Sequence, residues 1–164
     1  MTHTKIDTNI IIPNQEEHDH ANYVFNYNQI TDNIYIGNNM CCMAMLDELL
    51  LKEGIYADLS LEEELHDNPV GASCFLWVPI VDHTGPTIEN INITNAYIDS
   101  VVKMGEKIYI HCKNGHGRAP TIVIAYMISK GMSYDQAYNL VKSKRPVIHL
   151  DTTQETFLNN IKHK

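Results

Sequence analysis

At 164 residues, 44% hydrophobic and 20% charged, the chain is sized for one globular domain, because a second core would need more residues. Its formal net charge of −8 argues against broad binding to nucleic acid or to an anionic membrane, both of which need a positive surface potential. No apolar run approaches the roughly 18 to 20 residues that span a bilayer, and no signal peptide is recognised. The four cysteines, Cys41, Cys42, Cys74 and Cys112, have neither paired zinc-ligand spacing nor the density of a disulfide scaffold, which points to reduced thiols in a cytoplasmic protein.

Residues 1–22 are polar, carry Glu16-Glu17-His18-Asp19-His20 and lack a sustained hydrophobic period, so they read as an arm ahead of a single domain over 23–164. Tyr23-Val24-Phe25 and Ile34-Tyr35-Ile36 are predicted strands, the second ended by Gly37. Met40 to Glu53 reads as a helix stopped by Gly54, and a strand follows from Ile55 to Leu59. The nearly all-apolar run Cys74 to Val78, ended by Pro79, predicts a strand covered on both faces of a largely parallel sheet, as does Lys107 to Ile110. Between them Thr87 can cap a helix to about Met104, with Ile91, Ala96, Ile98 and Val102 on its apolar side. Three helices are then predicted: Ala119 to Lys130 closed by Gly131, Ser133 to Lys144 opened by Ser133-x-x-Gln136, and Thr152 to about Ile161 opened by Thr152-x-x-Glu155. Alternating strands and helices followed by a helix-rich C-terminal third give an α/β fold class, with a small, mainly parallel central sheet flanked by helices.

The chemistry concentrates in His111-Cys112-Lys113-Asn114-Gly115-His116-Gly117-Arg118-Ala119-Pro120-Thr121, where a buried strand gives way to a helix. A loop in that position aims backbone N–H groups and the positive end of the helix dipole at one point, which suits an anion. Gly115 and Gly117 permit tight turns and close approach of the amides, and positive φ where needed. Arg118 offers a planar, permanently charged fork for phosphoryl oxygens, and the same field favours Cys112 as a thiolate nucleophile. His111 is expected behind the loop, organising it by hydrogen bonds.

The pattern His111-Cys112-x-x-Gly115-x-x-Arg118 resembles the signature of the protein-tyrosine-phosphatase superfamily, in its compact dual-specificity branch. The resemblance spans about residues 28–161, with Asn33-Ile34-Tyr35-Ile36-Gly37 similar to that branch's early strand and Arg145-Pro146 followed by Gln154 similar to its C-terminal pattern. It implies the cysteine-phosphatase fold, a phosphate loop over Lys113, Asn114, Gly115, His116, Gly117 and Arg118, a cysteinyl-phosphate intermediate, and chemistry that requires no metal or other cofactor.

Cleavage of a phosphate ester by a thiolate needs a carboxylic acid to protonate the leaving oxygen and then activate water. Asp82, at the start of a Gly- and Pro-containing loop after a strand, is the candidate; Asp58 is the runner-up, and Asp151 fits a helix start. One departure from the resemblance stands at Ala119, where relatives carry Ser or Thr to help the cysteine leave. Thr121 lies roughly 200° around the helix, so slow turnover of the second step is expected.

The short chain suggests a shallow site accepting phosphotyrosine and phosphoserine or phosphothreonine. Lys113 and His116 on the loop rim resemble the basic loop of phosphoinositide phosphatases, and the segment around Val81-Asp82 is similar to phosphatidylglycerophosphate phosphatases, so a phospholipid is the alternative substrate. A phosphate-binding pseudophosphatase is the second alternative. A monomer is expected, with no stable membrane insertion and no nucleic-acid partner. The run Glu62-Glu63-Glu64 reads as a solvated face, His18, Asp19 and His20 are weak metal candidates, and a disulfide from Cys112 to Cys41, Cys42 or Cys74 requires Cα atoms within about 7 Å.

Overall fold

The structure, a computed structural model, describes residues 25–40 and 51–161. The arm over 1–22, Tyr23, Val24, Cys41, Cys42 and most of the Met40–Glu53 segment lie outside the described residues; Met40 and α1 (Leu51–Glu53) are helical. The sheet consists of β1 (Tyr27–Gln29), β2 (Ile34–Asn38), β3 (Ile55–Glu62), β4 (Cys74–Ile80) and β5 (Lys107–Cys112), in the spatial order β1-β2-β5-β3-β4. β2, β5, β3 and β4 are parallel, and β1 pairs antiparallel with β2. Helices α2 (Ile88–Lys103), α3 (Arg118–Ser129), α4 (Tyr134–Lys144) and α5 (Thr152–Ile161) complete the mixed α/β fold.

Parallel pairing buries both faces of the inner strands, and β2 and β5 are accordingly almost wholly buried. The main core joins Ile36, Leu59 and Ile110 of the sheet to Ile98 of α2 and to Ile122, Val123 and Ile124 of α3. Thr87 caps α2 as expected and adds a reciprocal box with Asn90, and the capping box expected at Ser133 forms with Gln136.

Several expectations are corrected. Of the predicted strand Tyr23-Val24-Phe25 only Phe25 lies within the described residues, and it precedes β1, which begins at Tyr27. Gly37 does not end β2; it lies within it, because a Cβ there would stand 2.0 Å from the Tyr109 hydroxyl, which donates to the Asn38 carbonyl. β4 continues through Pro79 to Ile80 and is an edge strand, not a doubly covered one. Phe75 (36% exposed) and Trp77 (38%) therefore face outward, and an edge tolerates a proline that donates no ladder hydrogen bond. Ala96 is exposed on α2. α5 is opened by Asp151, whose N–H donates to Gln154 Oε1 while its carbonyl accepts from Glu155 N–H.

Candidate active site

Cys112 ends β5 beside Asn38 of β2, and Arg118 begins α3, so the five residues between them form the strand-to-helix turn. Gly115 holds φ +67°, a left-handed conformation disfavoured for side-chain-bearing residues, and a Cβ there would stand 2.3 Å from the Gly37 carbonyl oxygen. Gly117 has φ −116°, so only the first of the two glycines uses positive φ. At Gly117 the constraint is space: a Cβ would approach Gln154 Oε1 to 3.0 Å. Gly117 also occupies the N-cap of α3, where no side chain caps the helix. The dipole and first-turn amides of a twelve-residue helix thus point toward the loop without a competing capping oxygen.

Arg118 is buried, 2% exposed, and its guanidinium is pinned from several sides. Nη1 donates to Glu64 Oε2 at 2.8 Å and to the Ile80 carbonyl at 3.0 Å, while Nη2 donates to Glu64 Oε1 at 3.1 Å. Nε lies 3.1 Å from Asp82 Oδ1, an ion pair whose angle makes no hydrogen bond, so the buried Nε–H has no acceptor among the described residues. Burial works against the charge of Arg118, but Glu64, Cys112 and Asp82 outweigh it and hold the guanidinium above its ordinary range. Burial would raise Glu64 as well, but the Arg118 hydrogen bonds prevail and hold it below its ordinary value.

The run Glu62-Glu63-Glu64 is therefore not one solvated face. Glu64 orients Arg118, and Glu62 is buried with both carboxylate oxygens accepting from Asn39 Nδ2 at 3.0 and 2.8 Å. Burial pushes Glu62 up, and the Asn39 bonds only partly offset it.

Asp82 follows β4 and reaches Arg118 as its position suggests. Its loop is fastened to the start of α5: Thr153 Oγ1 donates to the His83 carbonyl at 2.9 Å, and His83 Nδ1 lies 3.2 Å from Asp151 Oδ2. His83 itself sits at φ +59°. Asp58 is not at the loop's open side; it is fully buried behind it, with Oδ1 3.2 Å from His111 Nε2. Thr121 Oγ1 donates to the Gly117 carbonyl at 2.8 Å, so its hydroxyl is committed to the helix backbone. On the rim, His116 packs edge-on to His149 with centroids 5.3 Å apart, and Lys113 and Asn114 are half-buried.

Arg145, marked in the sequence only through the C-terminal resemblance, is with Glu64 a residue whose role the sequence did not disclose. Only 1% exposed, it donates from Nε to the Gly115 carbonyl at 2.8 Å, from Nη2 to the Asn114 carbonyl at 3.1 Å and to Asn26 Oδ1 at 2.7 Å, and from Nη1 to Asn28 Oδ1 at 2.8 Å. It clamps the turn to β1 from behind. A fully buried arginine just before a proline, following a helix that ends in Lys142-Ser143-Lys144, has no local pattern that separates it from a surface charge.

Cys74 cannot reach Cys112. In the parallel register Cys74 aligns through Ala57 with Ile108, four residues short of Cys112, which is about 13 Å along the strands and beyond disulfide reach.

A family model described as "Dual specificity phosphatase, catalytic domain" matches residues 34–163. Dual specificity phosphatase 28 of Mus musculus is 29% identical over 116 residues, covering 70% of each chain. Phosphatidylglycerophosphate phosphatase PTPMT1 of Arabidopsis thaliana is 39% identical over 70 residues, 42% of this chain and 21% of the relative. The crystal structure of human DUSP28 superposes with a TM-score of 0.75 at 21% identity, covering 84% of this chain and 93% of that one. With its family match running from β2 beyond the end of α5, the chain belongs to the dual-specificity branch of the cysteine-based protein-tyrosine-phosphatase superfamily.

Proposed function

We propose that Cys112 is the nucleophile, Arg118 the phosphoryl-binding cation and Asp82 the general acid and base of this phosphatase, with the amides of residues 113–118 cradling the phosphate. The observation that carries the assignment is the state of Arg118: a buried guanidinium fixed by Glu64 and the Ile80 carbonyl, with an Nε–H that lacks an acceptor. A phosphoryl oxygen supplies that acceptor, and the incoming dianion displaces the Asp82 carboxylate from Nε toward the ester oxygen.

In the first step the sulfur of Cys112 bonds to phosphorus, the phosphorus–oxygen bond of the ester breaks, and Asp82 gives its proton to the departing oxygen. In the second, water attacks the phosphocysteine, Asp82 takes a proton from it, and the sulfur–phosphorus bond breaks to release phosphate. Preorganised donors around the equatorial oxygens stabilise both transition states. Ala119 offers the departing sulfur no hydroxyl and Thr121 is engaged elsewhere, so the second step is slow. Rapid mixing with para-nitrophenyl phosphate is expected to show a burst of nitrophenolate before the steady rate; its absence removes this ordering of rates.

The substrate is a phosphorylated protein carrying phosphotyrosine or phosphoserine/threonine, and the enzyme works as a cytoplasmic monomer. Among the described residues no helix is long and apolar enough to cross a membrane. A phospholipid phosphate is the second reading, favoured by Lys113 and the His116–His149 pair on the loop rim and by the phosphatidylglycerophosphate phosphatase among the relatives. Initial rates on phosphopeptides and on phosphatidylglycerophosphate decide between them, a preference above about a hundredfold for lipid displacing the first. Cys112→Ser is expected to abolish turnover of para-nitrophenyl phosphate while the protein still binds the oxyanion. Unchanged turnover would refute the assignment, and a wild-type chain that binds phosphate without turnover would make it a binding module.

A further inference from the structure

Behind the phosphate loop, β3 carries polar residues at alternate positions, Asp58, Ser60 and Glu62, yet all three are buried. Period-two alternation puts them on one face of the strand, and the pairing of Asp58 with Tyr109 and of Ser60 with His111 sets that face beside the imidazole of His111. Asp67, from the segment after β3, folds back to the same place, its Oδ2 3.7 Å from His111 Nε2. Three carboxylates and one imidazole thus share a volume in which none of the four residues is more than 3% exposed.

We propose that Glu62, Asp67 and His111, with Asp58 as fourth ligand, form a buried site for one divalent cation of the zinc type. Donor atoms of Glu62, Asp67 and His111 already lie within 4.8 Å of one another. A tetrahedral zinc with bonds near 2.0–2.1 Å sets its ligands about 3.3 Å apart, so side-chain rotations of about an ångström close the set. One imidazole nitrogen with carboxylate oxygens is a donor set suited to zinc rather than to calcium or magnesium, which take oxygen ligands alone.

The independent observation is the unanswered lone pairs. Asp58, outside the three-residue cluster and fully buried, places Oδ1 3.2 Å from His111 Nε2 and has, among the described residues, no hydrogen-bond donor at Oδ2. Asp67 Oδ1 is likewise buried with no donor among the described residues. Unpaired carboxylate oxygens at zero exposure carry a penalty that a cation removes and an imidazolium, one charge among three carboxylates, does not. The outer contacts are those a metal site needs: Asn39 Nδ2 fixes Glu62, and Ser60 Oγ donates to Asp67 Oδ2 at 2.5 Å. The ion ties the segment carrying Asp67 to β5, one residue before Cys112. Its role is structural and independent of the phosphatase chemistry.

The test uses the full chain as Cys112→Ser, which removes the competing thiolate. After chelator treatment, reloading with zinc chloride and desalting, mass spectrometry is expected to find one zinc per chain, and zinc is expected to raise the thermal midpoint. The Glu62→Gln/Asp67→Asn variant is expected to lose at least a hundredfold in zinc affinity. Cobalt substitution is expected to give visible bands without thiolate charge transfer. Absence of bound zinc, or an unchanged midpoint with zinc, overturns the proposal without any cluster variant. Equal zinc binding by the cluster variant also overturns it, placing the ion on other groups.

Discussion

The front and the back of the turn from Cys112 to Arg118 each bury an arginine, and the partners of the two differ in charge. Arg118 meets two carboxylates, Glu64 and Asp82, and its guanidinium is held above its ordinary range. Among the described residues the hydrogen bonds of Arg145 go to neutral oxygens, the carbonyls of Asn114 and Gly115 and the amides of Asn26 and Asn28. Burial pulls Arg145 below its ordinary value, with Tyr109 and Cys112 pulling the other way. A cation among anions can exchange one anion for another, and Asp82 is the exchangeable one because its contact with Nε is no hydrogen bond. A cation whose four acceptors are fixed has nothing to exchange, so it holds shape.

The contrast breaks most visibly at Arg118. Lysine keeps the charge but loses the planar fork, so it cannot hold Glu64 and two phosphoryl oxygens together. Arg118→Lys is expected to lower kcat/KM for para-nitrophenyl phosphate by about 10³-fold, the scale of removing a preorganised transition-state donor, while the thermal midpoint falls by only a few degrees. A variant within tenfold of wild type would mean that the front arginine also serves only to hold shape.

What the sequence disclosed follows the same division. The candidate loop is local: Cys112, Gly115, Gly117 and Arg118 lie within seven consecutive positions, and the strand and helix on either side are readable from their apolar patterns. The place of Asp82 beside Arg118 was legible because a Gly- and Pro-containing loop follows a strand there. Glu64 was not, because three successive glutamates look alike until β3 sends Glu62 inward and leaves Glu64 free to turn onto Arg118. Arg145 was hidden for a related reason, since its acceptors at Asn26 and Asn28 lie more than a hundred residues earlier in the chain. β4 was misread because an apolar run looks the same in a central strand and at an edge, and the order of strands is a tertiary fact.

Arg145→Met tests the back of the loop. The variant keeps most of the buried stem but withdraws the donor from the Gly115 carbonyl, whose residue is itself buried. An expected cost of about 3 kcal/mol corresponds to a fall in thermal midpoint of roughly 6–12 °C for a domain of this size. With the loop less firmly held, kcat/KM is expected to fall about tenfold, less than for Arg118→Lys. Activity lost without loss of stability would place Arg145 in the chemistry instead.

Glu64→Gln gives the smallest expected effect and sharpens the comparison by pH. The carboxylate of Glu64 is 37% exposed, so solvent screening limits its pair with Arg118 to about 1 kcal/mol, well short of a fully buried pair. Because the folded state holds Glu64 below its ordinary value, the unfolded chain takes up its proton first as pH falls. The stabilisation is therefore complete above about pH 5 and is lost as pH drops below the usual glutamate value near 4.3. Urea midpoints of wild type and Glu64→Gln are expected to differ at pH 7 and to converge toward pH 3. A gap that stays constant across that range would show that the difference does not follow the ionisation of Glu64, and that the charge of the front partner is incidental.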